Sequence, residues 1–298
     1  MIPRTPERSP QTALQAINTI GLVAAHSKDE ATALAIEIEA WLADRGCTVV
    51  LESELQSYDR SQIDAIIVLG GDGLMMRAAN TYPDFPLLGI NFGKVGFLAL
   101  VERSNWELAV LALIEGRFEI EESSTLSAAV ERNGVLLDQG WAINDVVIRG
   151  GVRMIDVEVY IDGYYVNTYP GDGMIVATPR GSTAYCMAAG GPILTAGVRG
   201  FAIVPISCHS PIRTPFVAAE SVAVELLMAN KHEASLILDG RLVYDLQFSD
   251  IVRVVRGKHA FKLVSIGSTN FYDAFRSKFN FRIRPDAVPS RRSAPPRG

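Results

Sequence analysis

Cysteine is nearly missing from this sequence. The three present, Cys47, Cys186 and Cys208 among 298 residues, are too few and too far apart for a disulfide framework or a zinc pattern. That fits a reducing compartment. Long apolar runs are missing as well. None approaches the roughly 18 residues of a membrane span, and the opening Met1 to Arg8 has no apolar core of the kind a secretion signal carries. Neither sign of charge dominates. With 28 basic and 33 acidic residues, no global field points to nucleic acid or to an anionic membrane. These absences predict a cytoplasmic protein with no nucleic-acid and no membrane partner.

What the chain does have is aliphatic residues and glycine. Hydrophobic residues make up 48% of it, ample for two cores, and its length suits two domains. Residues 1–17 are polar and proline-containing and read as a flexible tail. Within 18–122, apolar runs at 20–24, 47–51, 65–69 and 87–90 read as strands. Helices are expected from Ser27 or Asp29 to about Asp44, from Leu74 to Asn80, and from Asn105 to Glu115. Such alternation predicts an α/β domain with a parallel sheet. Between 123 and 265 the pattern turns to short alternating segments, with hairpin signals at Asn133-Gly134 and Asp162-Gly163. A β-rich second domain is expected there, with strands near 142–148, 156–161, 164–168, 173–177, 222–227, 235–239, 242–246, 251–256 and 261–265. Residues 283–298, dominated by Pro, Arg and Ser, read as a disordered tail.

The first chemically suggestive stretch is Gly70-Gly71-Asp72-Gly73. It follows the unbroken apolar run Ala65–Leu69, the pattern of a strand buried on both faces. Glycines there let a ligand or another backbone approach the main chain. The carboxyl end of a parallel strand is also where open α/β sheets place ligands. Alone, the loop reads equally as a tight turn with Asp72 capping a helix. A second cluster lies in the β half. Asp145 interrupts the apolar run Trp141–Ile148, where an unpaired buried charge is costly. Then come Pro170-Gly171-Asp172-Gly173 and Gly181-Ser182-Thr183-Ala184-Tyr185. The latter offers backbone N–H groups and hydroxyls as an anion or ribose cradle, with Tyr185 placed to meet a base. Two Gly-Asp-Gly segments in different halves suggest one shared cleft.

Four blocks, in order, resemble the NAD kinase family: Gly70-Gly71-Asp72-Gly73; Pro86 to Asn91 with Gly96-Phe97-Leu98; Asn144-Asp145; and Asp172-Gly173 through Thr178-Pro179 to Gly181–Tyr185. His209-Ser210 and Leu238-Asp239-Gly240 are weaker echoes. The resemblance spans roughly residues 18–270. It implies an NAD kinase/diacylglycerol kinase-like fold in which 266–282 returns to the first domain, and a homodimer or homotetramer. The implied activity is phosphoryl transfer from ATP or polyphosphate to the 2′-hydroxyl of the adenosine ribose of NAD, giving NADP. Asp72 would be the catalytic base or orienter of that hydroxyl. Asn144 and Asp145 would hold the nicotinamide side. Asp172, Thr183, Ala184 and Tyr185 would hold the adenosine, with Gly73 and Phe97 beside the cleft. Gly70, Gly71, Arg77, Arg180 and Ser182 would face the phosphates. No protein-borne metal cage is evident, so Mg²⁺ would enter on the nucleotide phosphates.

The chain departs from the family pattern in three places. Leu74 stands where the first block usually continues with Thr, Asp145 where Glu is usual, and Arg180 where Thr or Ser is common. Arginine there suits a pyrophosphate clamp or a plain surface position. Two other classes remain open from sequence. A lipid kinase of the diacylglycerol or sphingosine type shares the Gly-Gly-Asp-Gly loop but would expose an apolar groove. A non-catalytic NAD(P)-binding sensor of the same fold is supported only by Leu74 and Arg180.

Overall fold

The computed structural model describes residues 17–25, 28–93, 96–195 and 197–267, with Phe275. Ser27 as a helix cap, the expected tails apart from Ile17, and most of the 266–282 segment lie outside the described residues; Ile17 is buried in the first unit's core rather than in a tail. The chain divides into two compact units. One comprises Met1–Ala78, Phe85–Glu121 and Leu263–Gly298; the other comprises Ala79–Asp84 and Glu122–Lys262.

The first unit is built on β1 (Thr19–Ala24), α1 (Asp29–Ala43), β2 (Thr48–Leu51), α2 (Glu52–Leu55), β3 (Ala65–Leu69), α3 (Asp72–Thr81), β4 (Pro86–Asn91), β5 (Val101–Glu102) and α4 (Trp106–Ile114). Helix α1 starts after Lys28 without a side-chain cap, with Asp29 and Glu30 in its first turn, where negative charge suits the helix dipole. All five residues of β3 are buried, as an unbroken apolar run requires when helices cover both faces. The strands pair in parallel in the order β2–β1–β3–β4–β5. That order reverses direction between β1 and β3, so the loop leaving β3 sits at the switch point where such sheets bind ligands. The core gathers Ile20, Leu34, Ile38, Leu42, Ile67 and Leu113.

The second unit is a pair of antiparallel sheets. Its elements are β6 (Glu119–Arg132), β7 (Val135–Ala142), β8 (Asp145–Gly150), β9 (Ile155–Ile161), β10 (Tyr164–Gly171), β11 (Gly173–Ala177), α5 (Tyr185–Ala188), β12 (Gly200–Ile206), β13 (Phe216–Ala219), β14 (Val224–Met228), β15 (Ala234–Leu238), β16 (Arg241–Leu246) and β17 (Ile251–Ser265). One sheet runs β10–β9–β14–β17, with β6 pairing β17 and β7 pairing β6. The other runs β13–β12–β11–β8–β15–β16. The period-2 alternation of each strand fills the core between them: Val146 and Ile148 of β8 point in with Val130, Val157, Phe201, Leu236 and Val252. The intervening Val147 faces the other side, where it meets Ile175, Ala202 and Cys186. Both expected hairpins form, Asn133 and Asp162 taking φ of +52° and +49° with glycine next in each.

The two-domain α/β plus β-rich class expected from the sequence is the one observed. One difference in strand bounds falls at a candidate site residue. The run 142–148 is not a single strand: β7 ends at Ala142 and β8 begins at Asp145. Asp145 therefore opens a strand after a turn rather than interrupting one.

Candidate active site

In the first unit the site is organised by Asp72. The amides of Leu74 and Met75 donate to the Gly71 carbonyl at 3.0 and 3.1 Å, which winds the chain straight from the glycine loop into α3. Asp72 is in the first turn, yet its carboxylate is not directed at its own helix. Oδ2 accepts from the amide of Phe97 at 2.9 Å, and Oδ1 from those of Leu98 and Ala99 at 3.0 and 3.1 Å. Asp72 thus ties the glycine loop to the 97–99 turn, two blocks that the sequence shows only as separate motifs. Gly96 makes this possible, since a Cβ on it would lie 1.8 Å from Asp72 Oδ1. Around Gly73 a Cβ would meet nothing within 4 Å, so its main chain is open to a ligand. Gly70 is different: Leu74 Cδ2 lies 2.6 Å from where its Cβ would be, so the leucine side chain covers the loop. Arg77 forks onto Glu52 of α2, and a phosphate would have to compete with that carboxylate.

In the second unit the Asn144-Asp145 turn is held from both sides. The amides of Ile143, Asn144 and Asp145 donate to the Asp239 carboxylate at 2.8, 2.7 and 3.2 Å. On the other side, the Thr178 hydroxyl donates to the Ile143 carbonyl at 2.7 Å, and the Thr178 amide to the Asn144 carbonyl at 2.9 Å. The same hydroxyl accepts from the Gly181 amide at 3.1 Å. Gly181 lies so close to the turn that a Cβ on it would be 2.0 Å from the Asn144 carbonyl oxygen. Asp145 is 5% exposed. Burial, with the nearby Asp239 charge second, pushes its carboxyl up to about 7.

The segment after β11 holds the remaining candidates. Thr183 donates its hydroxyl to the Arg180 carbonyl at 3.1 Å, Ala184 follows, and Tyr185 opens α5 against the Val147–Ile175–Cys186 cluster. Asp172, between β10 and β11, keeps an exposed carboxylate while its carbonyl accepts from the Gly150 amide at 2.8 Å. Arg180 donates Nε to the Ser123 hydroxyl at 2.8 Å and stands 5.1 Å from the Phe261 ring centre. Ser182 is turned inward and fully buried. Its hydroxyl donates to the Pro179 carbonyl at 2.6 Å and accepts from the Leu194 amide at 2.9 Å. It shapes the turn rather than presenting a hydroxyl to a phosphate. Asp239 is the residue the motif reading undervalued. The signal was its Asp-Gly hairpin pair, which the structure bends at φ +49° and +75°.

Residues 53–118 match the family model of the ATP-NAD kinase N-terminal domain, and residues 143–266 that of the C-terminal domain. The NAD kinase of Thermomicrobium roseum is 57% identical over 273 residues, covering 92% of this chain and 95% of that protein. This chain belongs to the NAD kinase family. A more distant NAD kinase, from Syntrophotalea carbinolica, is 33% identical over 282 residues, covering 89% of this chain and 99% of that protein. Among solved structures, an NAD kinase from Archaeoglobus fulgidus in complex with ATP aligns with a TM-score of 0.71 at 25% identity, covering 87% of this chain and 98% of that one. The fold is shared with yeast NADH kinase complexed with NADH, at a TM-score of 0.80 and 18% identity, covering 96% and 95% of the two chains. Like its relatives, this NAD kinase family member is a phosphotransferase. Among its described residues no three His, Cys, Asp or Glu side chains converge as metal ligands. No described helix is long and apolar enough to cross a membrane.

Proposed function

We propose that the protein transfers the terminal phosphoryl group of ATP to the 2′-hydroxyl of the adenosine ribose of NAD, giving NADP and ADP. The observation that carries this reading is the Asp72 carboxylate, fixed by three amides at the carboxyl end of β3 beside the open main chain of Gly73. An anion held by three N–H donors is a weak base. Its role here is to accept the hydrogen bond of the ribose hydroxyl, aim its oxygen, and take the proton late, as the new P–O bond forms and the bond from the terminal phosphorus to the ADP oxygen breaks. Phe97 and Gly73 supply contacts from the same unit. From the second unit Asn144 and Asp145 take the nicotinamide side, and Asp172, Thr183, Ala184 and Tyr185 the adenosine. Gly70, Gly71 and Arg180 are assigned to phosphates, and Arg77 only once Glu52 is displaced. Magnesium enters as part of the donor, chelated by its phosphates.

The ATP complex of the Archaeoglobus fulgidus relative supports ATP as donor. The test is incubation with NAD, ATP and Mg²⁺, with NADP and ADP quantified over time, and a parallel arm with polyphosphate replacing ATP. One NADP per ADP is expected. ADP without NADP, or no turnover with NAD still bound, would point to a different acceptor or to a binding protein. A homodimer or homotetramer in the cytoplasm belongs to the same proposal, and sedimentation measures the first part of it.

A further inference from the structure

Asp239 has no ligand role above, yet it holds the turn that does. It sits at the tip between β15 and β16 with φ +49°, a left-handed conformation that aspartate tolerates better than most residues. Its carboxylate takes three consecutive amides, those of Ile143, Asn144 and Asp145, at 2.7–3.2 Å. Its own amide donates to the Asp145 carbonyl at 3.1 Å. Three successive N–H groups aimed at one point form a concavity that selects an anion. The opposite edge of the turn is bonded by Thr178 through the carbonyls of Ile143 and Asn144. With both edges tied, the main chain of the turn has one conformation.

We propose that Asp239 is a positioning residue for the dinucleotide, fixing the Ile143–Asp145 main chain so that the side chains of Asn144 and Asp145 meet NAD in a single geometry. This rests on the reading of that turn as an NAD contact. The charge of Asp239 has a second effect. The buried Asp145 faces Asp239 from the β15–β16 turn and the thiol of Cys186 from α5. That thiol, pushed up to about 11 by burial, is neutral. Among the described residues, Asp239 is the charged neighbour that raises the pH at which Asp145 ionises, and removing its charge lowers that pH.

The full chain is tested by steady-state kinetics and by calorimetric NAD binding from pH 5.5 to 9. Asp239→Asn is expected to raise KM and Kd for NAD about tenfold with kcat within about threefold of wild type. The pH midpoint of NAD binding, abolished in Asp145→Asn, is expected to move to lower pH. Asp239→Glu keeps the charge on a longer arm, so KM rises while the midpoint stays in place. It also carries the KM test if Asp239→Asn does not fold. An unchanged KM for NAD in a folded Asp239 variant overturns the proposal, and so does a loss confined to kcat. Asn144→Ala separates the two levels. If it weakens NAD binding and Asp239→Asn does not, positioning by Asp239 alone is wrong. If neither weakens it, the reading of the turn as an NAD contact fails and the proposal falls with it.

Discussion

Asp72 and Asp239 use one device. Each carboxylate accepts three consecutive backbone amides, and each thereby fixes a segment assigned to NAD. Substitutions that crowd or neutralise the device have calculable consequences. Gly96→Ala places a methyl 1.8 Å from Asp72 Oδ1, so the carboxylate or the turn must move. A destabilisation of about 1–3 kcal/mol is expected from such overpacking, with turnover lost in step; denaturant melts and initial rates measure both. Asp145 gives a pH-dependent outcome. Its folded-state value, near 7, lies above the ordinary 3.8, so folding favours the neutral form. That contribution is full below about pH 4 and is lost as the pH rises through 7. At about 1.4 kcal/mol per pH unit of separation it is on the order of 4 kcal/mol. Asp145→Asn, which stays neutral, is therefore expected to be more stable than wild type at pH 8 and equal to it near pH 4. Thermal melts across that range decide it.

Strands β1 to β4 of the first unit were legible in the sequence because burial on both faces leaves unbroken apolar runs, as at Ala65–Leu69, whereas the short α2 and β5 were not expected. In the second unit several features escaped, β13 among them. Strand β12 was not among the expected strands; its apolar run carries Pro205, and proline is unfavourable in a strand interior. In the structure Pro205 lies beyond Ile203, where pairing with β13 ends, so its missing N–H costs no ladder bond on that side. Strand β17 is one element from Ile251 to Ser265, where two strands, 251–256 and 261–265, were expected. Gly257 instead makes room for Thr125, whose hydroxyl donates to the His259 carbonyl at 2.6 Å. Strand β6 was foreshadowed only by the hairpin signal at its end, Asn133-Gly134, because its first half, Glu119–Ser124, is polar. Its end is secured by Arg132, which forks onto the fully buried Asp250 at 2.6 and 2.9 Å. Arg132→Ala leaves that carboxylate with a single amide partner from Gln247. A loss of stability is expected in urea melts, because the buried carboxylate is left without its cationic partner.

At the scale of the molecule, each unit holds one clamped segment of its own, and the motifs named those segments without showing what clamps them. Asp72 was visible as a loop carboxylate, but its bonds to Phe97, Leu98 and Ala99 join residues 25 to 27 positions apart. Asp239 is 94 to 96 positions from the turn it holds. Spacing in sequence carries no record of such pairings; only the folded backbone brings them into register. Assigning phosphoryl transfer to NAD therefore depends on Asp72 acting as the aiming group for the ribose hydroxyl. The most direct test is the initial rate of NADP formation at saturating NAD and MgATP, compared between wild type and Asp72→Asn. The amide removes the charge and turns an N–H donor toward the Phe97–Ala99 amides. The expected result is robust NADP formation by wild type and a fall in kcat of at least about 10²-fold in the variant. Equal rates in the two proteins, or no NADP from wild type, would contradict it.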